Sequence, residues 1–381
     1  MGQAPARLLM VVNVAWFFRS HRLPIAVAAK AAGYEVHVAC RAEDLDAVRA
    51  IEDAGIILHD VPFTRSGANP ARELWTLFAL ARVYRSVKPA LAHHVTIKPV
   101  LYGSLLASLL RVPATVNALS GLGHVFSATG FIARARRFVV RGLYKLALNV
   151  KNSKVIVQNP DDLRELVGRG IIAASQAELI RGSGVDLAAF HPALEPVSRP
   201  VVVLPARMLR DKGIAEFVGA ARQVHAAGVA AKFLLAGGLD PENPGHVSQG
   251  EIARYTQTGD VQWLGHVEDM PTLIRNASIV CLPSYYAEGV PKALLEAAAC
   301  GKPIVTTDAA GCREVVRQRW NGLLVPPRDA DALARALITL LSDATLRAQY
   351  GANSRKLAEQ EFGVEAVAQR TLAIYRQLLG A

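Results

Sequence analysis

The chain has 381 residues and a formal charge of +11, a length that suggests two domains of roughly 150–200 residues, each able to bury its own core. No low-complexity tract or solenoid-length repeat is present, and no stretch reaches the roughly 20 apolar residues needed to span a membrane. The four cysteines, Cys40, Cys281, Cys300 and Cys312, lack C-x-x-C spacing, which argues against a metal cluster or a disulfide framework and for a reducing cytoplasm.

The charge is unevenly spread. Residues 1–190 hold 23 Lys and Arg against 13 Asp and Glu, whereas residues 191–381 hold 20 against 19. No acid occurs from Leu74 to Pro160, a window that holds 12 Lys and Arg. A one-signed stretch of that length points to an anionic surface or substrate.

In chain order, Arg7 and the apolar run 8–12 could pass for a signal peptide. Asn13 interrupts the run, however, and Arg19, His21 and Arg22 stand where a small-residue cleavage site belongs, so the run reads as a first strand. Further strands at 35–39, 56–59, 90–95 and 114–117 alternate with helices after Pro24 and near 45–54, 74–86 and 100–110. That alternation predicts a parallel, doubly wound sheet. The loop 13–22 leads into a helix where such sheets place ligands, with Arg22 facing the switch point. Two more loops follow at the same edge, 93–99 with His94 and Lys98, and 117–126 with Ser120, Gly121 and His124. Gly121-Leu122-Gly123 is no dinucleotide fingerprint, because the third glycine and the downstream acid are missing.

Residues 131–149 read as a basic amphipathic helix. Arg134, Arg137, Arg141 and Lys145 recur at three- and four-residue spacing, with Phe138, Val139, Leu143 and Leu146 among the apolar positions. The apolar side is expected to cover the sheet; the basic face would be simply solvated or, as the lack of nearby acids favours, meet anionic lipid headgroups. Nucleic acid would suit the same charge, but no recognition motif supports it. After a strand at 154–158, Asn159-Pro160-Asp161-Asp162 starts a helix, and residues 187–199 read as a linker.

The second half opens with a strand at 201–205 and a turn carrying Arg207 and Lys212. Fixed cations on a strand-to-helix turn suit a phosphate. A strand and glycine turn follow at 233–238, then a strand at 261–266. Residues 284–307 organise the rest: a buried strand ends at Pro283, a polar loop follows, and Pro291 suits the first position of a helix. The helix 292–299 ends at Gly301, and a strand resumes at Ile304. Glu288 precedes this helix and Glu296 lies roughly 8 Å deeper, at about 1.5 Å rise per residue. Between them, the first-turn N–H groups near Gly289, Val290 and Lys292 make an anion site strengthened by the helix dipole. A nucleotide diphosphate-sugar fits that geometry. Two carboxylates also suggest a double-displacement glycosidase, but Glu296 is too deep for the anomeric carbon.

The segment Glu288-Gly289-Val290-Pro291-Lys292-Ala293-Leu294-Leu295-Glu296 resembles the E-x7-E signature of retaining glycosyltransferases of family four. The likeness continues through 297–305, Asp308, 311–316 and 321–326, and the loops 93–99 and 117–126 resemble the subset that builds capsules, O-antigens and polyprenyl-linked glycans. The resemblance implies the α/β GT-B fold, with two Rossmann-like doubly wound parallel-sheet domains facing a cleft and a C-terminal helix crossing back to the first. The domains would be an acceptor-binding, membrane-facing one at 1–190 with helix 364–381, and a nucleotide-sugar-binding one at 200–360.

The implied reaction moves a hexose or N-acetylhexosamine from a UDP-sugar to a polyprenyl-diphosphate-linked or other lipid-linked glycan, retaining the anomeric configuration. It needs no metal or other cofactor and takes place at the inner face of the cell membrane. Arg207 and Lys212 would grip the donor diphosphate, Glu288 the sugar, Glu296 the ribose, and the backbone near Gly265 the base. Where the wider family has a His directly after the fifth strand, this chain has Ser120-Gly121, and the nearest histidine is His124. Two other readings stay open: a UDP-N-acetylglucosamine 2-epimerase-like isomerase of the same fold class, and a non-catalytic basic membrane-binding module.

Overall fold

The run RLLMVVNV forms β1 (Arg7–Val14), whose side chains are buried almost throughout, as expected of a strand covered on both faces. The computed structural model describes residues 5–64, 69–121, 141–193, 199–286 and 288–380. They fall into two units, Met1–Ser183 with Val364–Ala381, and Gly184–Gly363.

In the first unit β1 leads into α1 (Ala15–His21), α2 (Leu23–Ala31), β2 (Glu35–Arg41), α3 (Leu45–Asp53), β3 (Ile57–Asp60) and α4 (Pro70–Val87). Then come β4 (Leu91–Val95), α5 (Ile97–Leu109), β5 (Ala114–Leu119), the helix α6 (141–148), β6 (Ser153–Val157), α7 (Pro160–Gly168) and β7 (Ala177–Leu179). The seven strands lie in the order β3-β2-β1-β4-β5-β6-β7, and every pairing is parallel. Asn69 caps α4 ahead of Pro70, and Asn159 caps α7 ahead of Pro160, the asparagine–proline starts that helices favour.

In the second unit the order is β8 (Val201–Pro205), α8 (Ile214–Ala226), β9 (Lys232–Ala236), α9 (Gln249–Thr256), β10 (Gln262–Trp263) and α10 (Met270–Arg275). It continues with β11 (Ile279–Leu282), α11 (Lys292–Ala299), β12 (Ile304–Thr307), β13 (Gly322–Val325), α12 (Ala330–Leu341) and α13 (Ala344–Leu357). Its parallel sheet runs β10-β9-β8-β11-β12-β13. The chain ends in α14 (Val364–Leu379), which belongs to the first unit.

Alternation along β1 divides the first unit's core. Leu8, Met10 and Val12 pack with α2 and with Val367, Leu372 and Tyr375 of α14, whereas Leu9 and Val11 face Leu80 and Tyr84 of α4. Two buried histidines of β4 anchor these layers. His93 Nδ1 is 2.5 Å from the Tyr375 hydroxyl. His94 Nδ1 donates to Asn117 Oδ1 at 2.7 Å, and its Nε2 accepts from the Tyr84 hydroxyl at 2.7 Å. Gly103 sits so close that a Cβ there would strike the His94 ring.

Three expectations are corrected here. The predicted loop 13–22 is mostly helix, because Ala15 and Phe18 of α1 bury against the sheet. On α6, Tyr144, Ala147 and Leu148 face inward, while Leu143 and Leu146, expected to cover the sheet, are exposed. Within the predicted linker, Leu187 and Phe190 pack against the second unit's core, and Arg355 donates to the carbonyls of Leu187 and Phe190.

The buried histidines set a pH dependence. Burial pushes His94 down from 6.5 to about 4, with its Asn117 hydrogen bond pulling the other way, and burial also holds His93 well below 6.5. Below pH 6.5 the unfolded chain therefore takes up protons that the native state refuses. Stability should fall as pH drops from about 6.5 to about 4, by roughly 3 kcal/mol for His94 alone, at about 1.4 kcal/mol per unit. Urea unfolding midpoints measured across that window should decline towards acid, and a flat profile would contradict this account.

Candidate active site

In the second sheet the chain moves outward from β8 in one direction and from β11 in the other, so the switch point lies between these neighbours. Open parallel sheets hold their ligands outside the carboxyl ends of the strands at such a point. The loop after β8 carries Arg207 and Lys212, and the loop after β11 carries Glu288.

These two loops are stitched together. Lys212 Nζ lies 2.5 Å from Glu288 Oε1, with the side chains 12% and 20% exposed. Ser284 Oγ donates to the same carboxylate oxygen at 3.2 Å. Tyr285 N donates to the Asp211 carbonyl at 2.9 Å, and the Tyr285 hydroxyl donates to the Arg210 carbonyl at 2.9 Å. Lys212 also lies 5.9 Å from the centroid of the Tyr286 ring, within cation–π range. Gly213, at φ +77°, turns the chain into α8, and a side chain there would collide with the Pro283 carbonyl. After β12, Gly311 lies against the Gly289 carbonyl, leaving no room for a Cβ.

Arg207 forms an ion pair with Asp240, a buried acid in the loop after β9, while its side chain stays 43% exposed. Gly265, after β10, has φ +69° and open space where a Cβ would be, and its carbonyl accepts from Gly237 N at 2.8 Å. Val290 is buried and Pro291 is the N-cap of α11, in extended conformation, rather than its first helical residue. Pro291 has no side chain that could cap α11. One turn further on, Glu296 is 13% exposed and lies 3.7 Å from Lys292 Nζ. Burial raises the Glu296 carboxyl, and Lys292 draws it back down.

Arg207, Lys212, Gly265, Glu288, Gly289, Val290, Pro291, Lys292 and Glu296 thus all lie on loops at one edge of a single sheet or on the helix leaving it. Sequence reading missed Asp240, Ser284 and Tyr286. The signal for the first was an acid just after the Gly237-Gly238 turn. For the other two it was position, since they directly follow the buried strand.

The first-unit candidates fare differently. Arg22 is 4% exposed at the junction of α1 and α2, and its Nη1 donates to the His21 carbonyl at 3.2 Å. Burial lowers its guanidinium to about 10, against the favourable field of Tyr375. It is an interior cation, not one on an open loop. His94 belongs to the core network already described, because strand β4 points its ring inward. Lys98, expected to serve the acceptor, is tied to Glu73 Oε1 at 2.7 Å. Burial would raise that carboxyl, but hydrogen bonds from Lys98, Tyr102 and Thr64 hold it below its ordinary value. Ser120 and Gly121 do stand at the carboxyl end of β5, Ser120 half-buried and Gly121 at φ +108°. Arg141 and Lys145 are exposed on α6, and Arg141 Nη2 donates to the Arg169 carbonyl at 2.5 Å. His124, Arg134 and Arg137 lie outside the described residues.

Among the described residues, no group of three or more His, Cys, Asp or Glu is arranged to hold a metal ion, and no helix is long and apolar enough to cross a membrane.

Comparison with known proteins bears on the family and the fold. Residues 199–343 match the family described as glycosyl transferases group 1, and residues 7–159 the family described as glycosyl transferase 4-like. The chain is 30% identical over 373 residues, 94% of its own length and 95% of the relative's, to N,N'-diacetylbacillosaminyl-diphospho-undecaprenol alpha-1,3-N-acetylgalactosaminyltransferase of Campylobacter jejuni. It is 23% identical, over 72% of each chain, to UDP-Gal:alpha-D-GlcNAc-diphosphoundecaprenol alpha-1,3-galactosyltransferase of Escherichia coli. Among solved structures, sucrose-phosphate synthase from Thermosynechococcus elongatus superposes with TM-score 0.79 at 23% identity, covering 98% of this chain and 99% of that one. Anabaena HepE in complex with UDP and glucose superposes with TM-score 0.78 at 19% identity, covering 98% and 100%. These relatives favour glycosyl transfer over the epimerase and the non-catalytic module. With two parallel-sheet domains of the GT-B type and this match over nearly its whole length, the chain belongs to the group 1, GT4-like family of glycosyltransferases.

Proposed function

We propose that the protein transfers a hexose or N-acetylhexosamine from a UDP-sugar to a polyprenyl-diphosphate-linked glycan, with retention of configuration and without a metal ion, at an anionic membrane face. The observation that carries the reading is the Lys212–Glu288 pair bridging the switch point beside the amino end of α11. The lipid-linked acceptor is drawn from the relatives of Campylobacter jejuni and Escherichia coli, whose names specify undecaprenol diphosphate. The membrane contact is drawn from the basic 131–149 segment and the acid-free window around it.

In this reading the donor diphosphate takes its positive charge from Arg207, Lys212 and the dipole of α11. Cations fixed in advance stabilise a departing UDP without a bound ion. Asp240 holds the Arg207 guanidinium in place, and a diphosphate would share it or displace the acid. Glu288, aligned by Ser284 and Lys212, accepts from the sugar hydroxyls. Glu296 accepts from the ribose hydroxyls, which replace the hydration its buried carboxyl has lost. The backbone near Gly265 has room for the flat face of the base.

Glu288→Gln keeps an acceptor for Ser284 but removes the charge. Sugar transfer should fall by about 10²–10³-fold with folding intact, in line with the loss of one positioned polar group in an active site. Turnover within a few-fold of the parent, assayed with a panel of UDP-sugars, would remove Glu288 from the mechanism. Arg207→Ala should weaken UDP binding by about tenfold, the scale of one charge-assisted hydrogen bond. An unchanged affinity in titration calorimetry would contradict the diphosphate assignment.

A further inference from the structure

Among the described residues, seven of the eleven exposed large apolar side chains lie on three helices of the first unit. They are Leu74, Trp75 and Phe78 of α4, Leu105 and Leu109 of α5, and Leu143 and Leu146 of α6, between 42% and 71% exposed. The aromatic pair of α4 stacks at 5.8 Å between centroids, presenting one flat apolar surface. Between the helices lies a groove of about 210 Å³, lined by Leu77, Leu101, Tyr102, Leu105, Leu143 and Leu146. Isolated exposed leucines need no explanation, but a clustered face with its own groove does.

At the far ends of α4 and α5 a second pocket, of about 750 Å³, is lined by Arg7, Arg85, Lys88 and Arg111. None of these four cations makes an ion pair among the described residues. Arg85 continues the stripe of Leu74 and Phe78 along α4 at helical spacing. On α5, Leu105 and Ser108 line the groove, and Arg111, just past the helix end, lines the cationic pocket. Three to six residues separate them, about 5–9 Å at helical rise. A bilayer places its phosphates above its hydrocarbon by a similar depth, roughly 5–8 Å on each side.

We propose that the α4–α5–α6 face docks on an anionic phospholipid bilayer, with lipid chains against the apolar groove and lipid phosphates in the cationic pocket. The proposal rests on the membrane reading above and extends it from the basic 131–149 segment to α4 and α5. Charge argues for this occupant. The whole stretch from Leu74 to Pro160 offers cations and no acid, so a second copy packed symmetrically on the same face would bring like charges together. A phosphate surface neutralises them.

The test is co-sedimentation of the full chain with vesicles of phosphatidylcholine, with and without phosphatidylglycerol. Trp75→Ser/Phe78→Ser/Leu146→Ser changes only exposed positions, and the circular dichroism spectrum and urea unfolding midpoint serve as the check on folding. It should lower partitioning onto phosphatidylglycerol vesicles at least tenfold. Arg85→Glu/Arg111→Glu should remove the preference for phosphatidylglycerol and its salt sensitivity. Lipids brominated near the top of the acyl chain should quench the parent's fluorescence, and a Trp75→Phe variant should lose that quenching.

Parent-like partitioning of the apolar variant overturns the proposal. So does a parent that sediments as a dimer which those substitutions split, because the face then joins two copies. If only Arg134→Glu/Arg137→Glu releases the chain, the membrane reading stands and this location fails. A parent that binds neither vesicle sinks both.

Discussion

The proposed donor site in the second unit depends on one ion pair. Lys212 and Glu288 come from loops 76 residues apart in sequence, and their contact closes the gap between two strands that the chain leaves in opposite directions. A charge pair only 12% and 20% exposed is costly unless its other valences are met. Here Ser284 and the Tyr286 ring help to meet them. The glycines follow from the same constraint. Gly213 must turn left-handed under the Pro283 carbonyl, and Gly311 must leave space for the Gly289 carbonyl, or the two loops could not approach. The residues proposed for function thus also carry local packing, and the two loops are tied to each other as well as to the sheet.

The first unit is organised by interior polar contacts. His93 joins β4 to the terminal helix through Tyr375, and His94 joins β4 to α4 and β5 through Tyr84 and Asn117. Buried polar groups with partners specify one arrangement where an all-apolar core would tolerate several. The hydrogen bond to Tyr375 gives α14 a specific register on the sheet as well as an apolar seat. Burial removes the His94 ring from ligand chemistry, since a neutral imidazole with both nitrogens engaged has nothing left to offer a substrate.

That the residues proposed for the donor lie together at one sheet edge was legible in the sequence because the signals are local. A strand, a polar loop with Glu288, Pro291 and a short helix with Glu296 follow one another within a single turn of the fold. Arg207 and Lys212 stand on one strand-to-helix turn of the same kind. Partners contributed by distant loops carry no such signal. Asp240 meets Arg207 from the loop after another strand, and Glu73 meets Lys98 from 25 residues away. From sequence both cations looked available, and only the folded chain revealed their acids. The basic stretch near residue 140 misled for a related reason. A helical wheel shows that apolar and basic positions exist, but Leu143 and Leu146 turn outward because Tyr144, Ala147 and Leu148 fill the sheet-side space.

The sequence by itself determined the class of fold, two alternations of strand and helix, and the family, through a motif whose spacing is set by one helix start. Periodicity and short-range chemistry suffice for these, because they act along the chain. Tertiary structure decided which charges are paired, which histidines are interior, and which apolar side chains face outward. Those outcomes depend on what another segment places opposite each residue, and no local pattern encodes that.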